Sequence, residues 1–348
     1  MENKHQRITQ RQGNRIFILE TFSAAALFLP QIVLRGNYGS GILSVGVVWI
    51  LLACYVLIAS KVADGIPMEQ VLKHHRWAAI IYYIRFWINA AFFYTYIVFM
   101  VGRYMLPQNQ GFVIGFPLLV LAWRMNRGGL KERGRVMEGI FWFVLLPVIF
   151  VLLLSITDLS FKEIAVSDFQ WKEFFKGSLL LLALLHPMEL VWFYRGNMSN
   201  GGMKFRTFFG IGILLIGIFC AVVGSLGRKL TLYDENPVMS MAQGAAIPGG
   251  IMARLDIFLI AFWIVGVFCV FSGYLFYGNE GLKHVFFRGR MIGNLLSYGG
   301  LFLATNVLFH FWYLIWNSFS CFLYANLTIG LLFPLFLFYM EKIRRRKI

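Results

Sequence analysis

Ten apolar stretches of roughly 20 residues, separated by short polar segments, set the outer limit on what this chain can fold into. A helix of that length rises about 30 Å, the thickness of bilayer hydrocarbon. Inside hydrocarbon every backbone N–H and C=O must be satisfied within the protein, which leaves helices or closed barrels as the spanning forms. The stretches fall at 15–34, 40–60, 77–104, 110–124, 136–156, 174–194, 207–227, 254–277, 291–312 and 320–341, the fourth being the shortest. With 59% apolar and 14% charged residues, a soluble domain could not bury so much apolar side chain. The expected fold is an all-α integral membrane protein of about ten transmembrane helices, one membrane-embedded domain without a soluble portion.

The net charge of +16 does not indicate nucleic acid, because the basic residues sit in short loops and form no long solvated face. With the N-terminus inside, the segments 1–15, 61–76, 124–135, 195–206, 278–290 and 342–348 hold 23 of the 32 Lys and Arg residues; the outer segments hold eight, and Arg85 is the one left inside a helix. This asymmetry fits the positive-inside rule for an even number of spans. Both termini are therefore expected in the cytoplasm, with the chain in a bacterial cytoplasmic membrane. The polar, basic first fifteen residues show no removable signal peptide. Cys54, Cys220, Cys269 and Cys321 each lie in an apolar run and read as small buried hydrophobes rather than disulfide or metal partners. No phosphate loop, Cys-x-x-Cys, His-Glu-x-x-His or Gly-x-Ser-x-Gly occurs. Neither catalysis, metal nor cofactor is expected, and active transport would have to use an ion gradient.

Ionisable residues within spans are costly unless paired or hydrated. Glu20, Arg85 and Glu189 all fall in the cytoplasmic third of their helices, so Arg85 is placed to pair with Glu20, Glu189 or both. Two readings stand: an inner-leaflet pair that fastens helices, or an inner gate or proton-linked site. Glu138 reads as interfacial. Helix breaks are expected at Glu20-Thr21-Phe22-Ser23-Ala24-Ala25-Ala26, ahead of Pro30, and at Leu185-His186-Pro187-Met188-Glu189, where Pro187 frees the carbonyl one turn earlier. Such breaks are either ordinary kinks or places where bare backbone groups bind a solute. Asn89, Tyr94, Thr95 and Tyr96 give the third helix a partly polar face, which lines a cavity or bonds to neighbouring helices. The two halves show no evident sequence similarity. Ten spans nevertheless divide into two sets of five, about 15–156 and 174–341, and an odd set inverts on duplication, the arithmetic of an inverted-repeat transporter.

The strongest local signature is Gly249-Gly-Ile-Met-Ala-Arg-Leu-Asp-Ile-Phe-Leu-Ile-Ala-Phe-Trp-Ile264. It resembles the Arg-Leu-Asp/Glu and Trp-Ile opening of the eighth helix in spore germination permeases, the B subunits of bacterial germinant receptors. Asn236-Pro237 upstream and the basic opening Arg7-Ile-Thr-Gln-Arg-Gln12 also fit. The family is related to amino acid–polyamine–organocation transporters, so the resemblance implies their five-plus-five inverted fold. It implies a small nutrient, typically an amino acid, bound between helices one, three, six and eight: at Thr21, Ser23, Ala24, Ala25, Asn89, Tyr94, His186, Pro187, Met188, Phe262 and Trp263. It also implies an A subunit and a C-subunit lipoprotein as partners in the spore inner membrane, with membrane lipid around the chain. Ser23-Ala24-Ala25-Ala26 replaces the glycines expected at the first break. Arg254 and Asp256 at the mouth of helix eight are either a local capping pair or an outer latch. Three functions follow: a nutrient-sensing receptor subunit, a stand-alone proton-coupled amino acid transporter using Glu20, Glu189 or His186, and a scaffold for partner subunits.

Overall fold

The computed structural model describes residues 7–63, 66–108, 111–199, 203–244, 255–283, 285, 293–308, 310–311 and 318–346. Its first helix is launched by a reciprocal cap: the Thr9 hydroxyl accepts from the Gln12 N–H at 3.2 Å, and the Gln12 side-chain oxygen accepts from the Thr9 N–H at 3.1 Å. That helix, α1 (Gln10–Ala25), stops before Ala26 and restarts as α2 (Leu29–Gly36), bent by 60°. There follow α3 (Gly41–Val62), a short α4 (Met68–His74), α5 (Arg76–Tyr104), α6 (Gly111–Arg127) and α7 (Gly129–Leu154). The connection that follows carries α8 (Phe161–Ile164). The predicted sixth span is α9 (Trp171–Leu184), a 3-10 stretch at His186–Leu190 and α10 (Val191–Arg195), bent by 48°. The chain continues through α11 (Phe205–Leu226), α12 (Arg228–Tyr233), α13 (Pro237–Gly244), α14 (Leu255–Leu282), a π turn at Leu295–Gly299, α15 (Gly300–Leu308) and α16 (Phe319–Arg346).

Among the described residues six helices are long and apolar enough to cross a membrane, and eight if each bent pair is one span. The predicted fourth and ninth spans correspond to Gly111–Arg127 and Leu295–Leu308, about 25 and 21 Å long. Both fall short of the roughly 30 Å hydrocarbon thickness. The chain is thus a multi-pass, all-α membrane protein. In the most apolar window of α5 78% of residues are buried, and in that of α14 72%, against 39% for α3 and α16. The first two form the centre of the bundle, and the others turn half their surface outward.

The two broken helices lie side by side. On one side of the breaks α2 meets α9 so closely that a Cβ on Gly36 would stand 2.4 Å from the Gly177 Cα, which only glycine permits. On the other side α1 packs against the His186–Leu190 stretch. That second side is the basic end of the bundle. There Ile8–Thr9 pairs in parallel with Met198–Ser199 just beyond α10, with the Ile8 N–H donating to the Asn197 carbonyl at 3.1 Å. Glu341 meets His74 at 3.1 Å there, and Glu138 meets Arg11 at 2.8 Å. The opposite end is closed by contacts such as the Ser167 N–H to the Gly39 carbonyl and the Arg228 guanidinium to the Glu163 carbonyl.

Candidate functional site

Each break exposes backbone that a continuous helix would have used. At the first, the Ala25 carbonyl is taken by the Phe28 N–H at 3.0 Å, and the Ser23 carbonyl accepts from the Trp263 indole N–H at 3.2 Å. At the second, Pro187 has no N–H to give the Ala183 carbonyl, and His186 Nδ1 lies 3.0 Å from that oxygen. The first break comes at Ala26–Phe28, one turn later than the centre of the predicted Thr21–Ala26 stretch. Thr21, Ser23, Ala24 and Ala25 are buried in the last turn of α1, with Ser23 pressed against Gly266 of α14. The hydroxyls of Thr21, Ser23 and Thr95 are buried and make no hydrogen bond with the described residues.

On the basic side of the breaks, each broken helix carries one fully buried carboxylate. Glu189 Oε2 is 2.5 Å from Arg85 Nη1. Arg85 also donates from Nε to the Asn326 side-chain oxygen at 3.1 Å and from Nη2 to the Asn326 carbonyl at 3.0 Å. Asn89 donates to the same Asn326 oxygen at 2.8 Å and to the Arg85 carbonyl at 3.0 Å, which leaves its own oxygen 3.1 Å from His186 Nε2. Gly330 makes room for the pair: a Cβ there would lie 2.8 Å from Glu189 Oε2. The network therefore joins α5, the second break and α16.

Glu20 does not meet Arg85. Its Oε1 is 2.7 Å from Arg133 Nη2, and both side chains are fully buried. Arg133 also donates to the Cys269 carbonyl at 2.6 Å and to the Ser272 hydroxyl at 3.2 Å. The sequence had placed Arg133 in a cytoplasmic loop and left Arg85 as the lone cation inside the bundle. Both expectations are corrected because α7 begins at Gly129 and carries Arg133 inward on its second turn. Glu138 does remain peripheral, shared between Arg11 and Arg15.

On the other side of the breaks the packing is aromatic. The Phe28 ring lies 4.7 Å from Tyr96 and 5.2 Å from Phe319, and Phe92 lies 5.2 Å from Phe319 and 5.0 Å from Phe322. Trp263 meets Tyr96 edge-on at 5.4 Å. Above this cluster, the segment around α12 and α13 is tied down. Gln31 donates to the carbonyls of Leu232 and Asp234 at 3.2 and 2.6 Å, and the Tyr96 hydroxyl donates to the Asn236 side-chain oxygen at 3.3 Å.

The structure thus gathers Ser23, Trp263, Asn89, His186 and Pro187 around the breaks, with Met188 buried beside them. It turns two expected residues away. Tyr94 packs between Gly115 of α6 and Phe271, and Phe262 faces Phe143 of α7 at 4.4 Å. Arg254 and the side chain of Asp256 lie outside the described residues. Asn326, Phe28, Phe92 and Phe319 belong to the site although the sequence did not single them out. Of these, only Asn326, a lone amide in an apolar run, left a readable trace. Among the described residues no group of three or more His, Cys, Asp or Glu comes together to hold a metal ion. Around the breaks the structure therefore brings together the amides of Asn89 and Asn326, the Ser23 hydroxyl and the rings of Phe28, Tyr96 and Trp263.

A search of curated proteins gives no match. A family model described as spore germination protein, spore permease, matches residues 7–290. That is a family of transporter and receptor kind rather than of enzymes, and it agrees with the several apolar helices seen here. On that match the chain belongs to the spore germination permease family.

Proposed function

We propose that this chain is the B subunit of a germinant receptor: it binds a small nutrient, an amino acid, between the two helix breaks and passes the resulting movement to an A subunit and a C-subunit lipoprotein. In this reading the fold has ten crossings in a five-plus-five inverted repeat. Both termini face the cytoplasm, as the basic end implies, and the membrane is the spore inner membrane. The observation that carries the reading is the side-by-side placement of the two broken helices, with α5 and α14 behind them. Ligand enters from the aromatic side. Release at the basic end would require separating two buried charge pairs, each costing about 3–5 kcal/mol when one partner is left bare. That favours sensing over through-passage.

The test is to reconstitute the chain in vesicles, titrate amino acids against tryptophan fluorescence, and follow labelled uptake under a proton gradient. Saturable binding that is lost in Ser23→Trp, without accumulation, is the expected result. Robust accumulation would defeat the sensor reading. Two contacts of His186 favour the second reading, proton-coupled transport. Both ring nitrogens of His186 face acceptor oxygens, those of Ala183 and Asn89, and a neutral imidazole has one proton to give. If that reading holds, uptake follows the proton gradient in the wild type and loses that dependence in His186→Gln.

A further inference from the structure

A second feature lies on the outer wall of the bundle, away from the breaks. A groove of about 530 Å³ runs between α7 and α11, with Ile18 of α1 at its floor. Its α11 wall is Gly210, Ile213, Leu214, Gly217, Cys220 and Ala221. These recur at three- and four-residue steps and so form one helix face. The face is hollowed by two glycines. A Cβ on Gly210 would meet nothing within 4 Å, and one on Gly217 would touch only Leu152 Cδ1 at 3.4 Å. From Gly210 to Ala221 the groove is about 16 Å long, close to the hydrocarbon depth of one leaflet.

Its end nearest the basic face is charged. The Arg15 guanidinium lies 5.1 Å above the ring of Phe141, itself a wall residue. Arg11 and Arg15 share the single carboxylate of Glu138, at 2.8 and 3.2 Å, so this triad keeps one net positive charge. Exposed Lys204 and Arg206 flank the start of α11 about one turn before Gly210. A wholly apolar slot of one-leaflet length beneath an uncompensated basic cluster matches one amphiphile: a phospholipid with an anionic headgroup.

We propose that this groove is a binding site for an anionic phospholipid, with one acyl chain along the α7–α11 face and the headgroup phosphate on Arg11 and Arg15. It stands independently of what binds between the helix breaks. Trp142 lines the groove and is half exposed, which provides a direct probe. The full chain is placed in nanodiscs containing a minor fraction of phosphatidylglycerol or phosphatidylcholine brominated in mid-chain, and quenching of tryptophan fluorescence is compared.

The expected result is stronger quenching by the brominated phosphatidylglycerol, with the difference between the two lipids abolished in Trp142→Phe. Neutralising both arginines, as Arg11→Gln with Arg15→Gln, should reduce the preference by about thirtyfold. Gly210→Leu with Gly217→Leu, which fills the slot, should remove retained phosphatidylglycerol in native mass spectra. Equal quenching by both lipids overturns the proposal, as does a preference that survives in Trp142→Phe. A polypeptide copurifying in place of lipid, and displaced by the filled-slot variant, also overturns it. The quenching comparison needs no core substitution, so it decides the matter even where the double leucine variant fails to fold.

Discussion

The two sides of the helix breaks are held by different physics. Toward the basic end, each broken helix is anchored by a buried carboxylate on an arginine from a helix behind it, Glu20 on Arg133 and Glu189 on Arg85. Away from it, the first broken helix is held by ring packing around Phe28 and a few hydrogen bonds to the α12–α13 segment, and the second by its close glycine contact with α2. Ring pairs are worth about 0.5–1.5 kcal/mol beyond burial and tolerate sliding. A buried ion pair tolerates little, because a small displacement strands two charges in a low-dielectric interior. The comparison teaches that one side is a fixed anchor and the other is adaptable, so movement provoked by a ligand should begin among the rings.

The largest expected effects fall on the anchors. Glu189→Ala leaves Arg85 uncompensated and should lower stability by about 3–5 kcal/mol, read as a shift in thermal unfolding. Arg85→Met together with Glu189→Leu should recover most of that loss. Glu20→Ala should behave alike with Arg133→Met as its rescue, while a double-mutant cycle between Glu20 and Arg85 should show coupling below about 0.5 kcal/mol. Strong Glu20–Arg85 coupling would break the comparison by merging the two anchors into one.

Smaller effects sharpen the picture of the adaptable side. Gly36→Ala drives a methyl into the backbone of Gly177 and should cost about 1–3 kcal/mol, seen as a lower unfolding midpoint. Phe28→Leu keeps the apolar volume but loses the ring contacts, for about 0.5–1.5 kcal/mol. Cysteine labelling near Gln31 should speed up in that variant, while labelling near Glu189 stays unchanged. Smallest of all, Tyr96→Phe removes one long hydrogen bond to Asn236, at 3.3 Å, worth about 0.5 kcal/mol. Equal labelling gains at both ends would erase the distinction.

Most of the helices were legible in the sequence because hydrocarbon demands length and apolarity, which composition reveals, but of the ten spans expected six to eight are long and apolar enough among the described residues. Glu20, Arg85 and Glu189 were legible for the same reason inverted: a charge inside an apolar run has to be explained. Arg133 was not, since it follows Arg124, Arg127 and Lys131, and local sequence cannot separate a solvated arginine from one carried inward by a helix that starts four residues earlier. Tyr94 and Phe262 were misplaced by grouping neighbours along the chain. Successive helical residues point about 100° apart, so Trp263 reaches Ser23 while Phe262 reaches Phe143. The ring cluster was invisible among 36 phenylalanines, because only the tertiary arrangement selects which of them meet.

The two-residue strand pair Ile8–Thr9 with Met198–Ser199 has a mechanical consequence. It straps the lead-in of the first broken helix to the run-out of the second, so neither can swing without hauling on the other. A load applied to the segment after Arg195 would be transmitted to α1 through those few bonds before any side chain inside the bundle had to move.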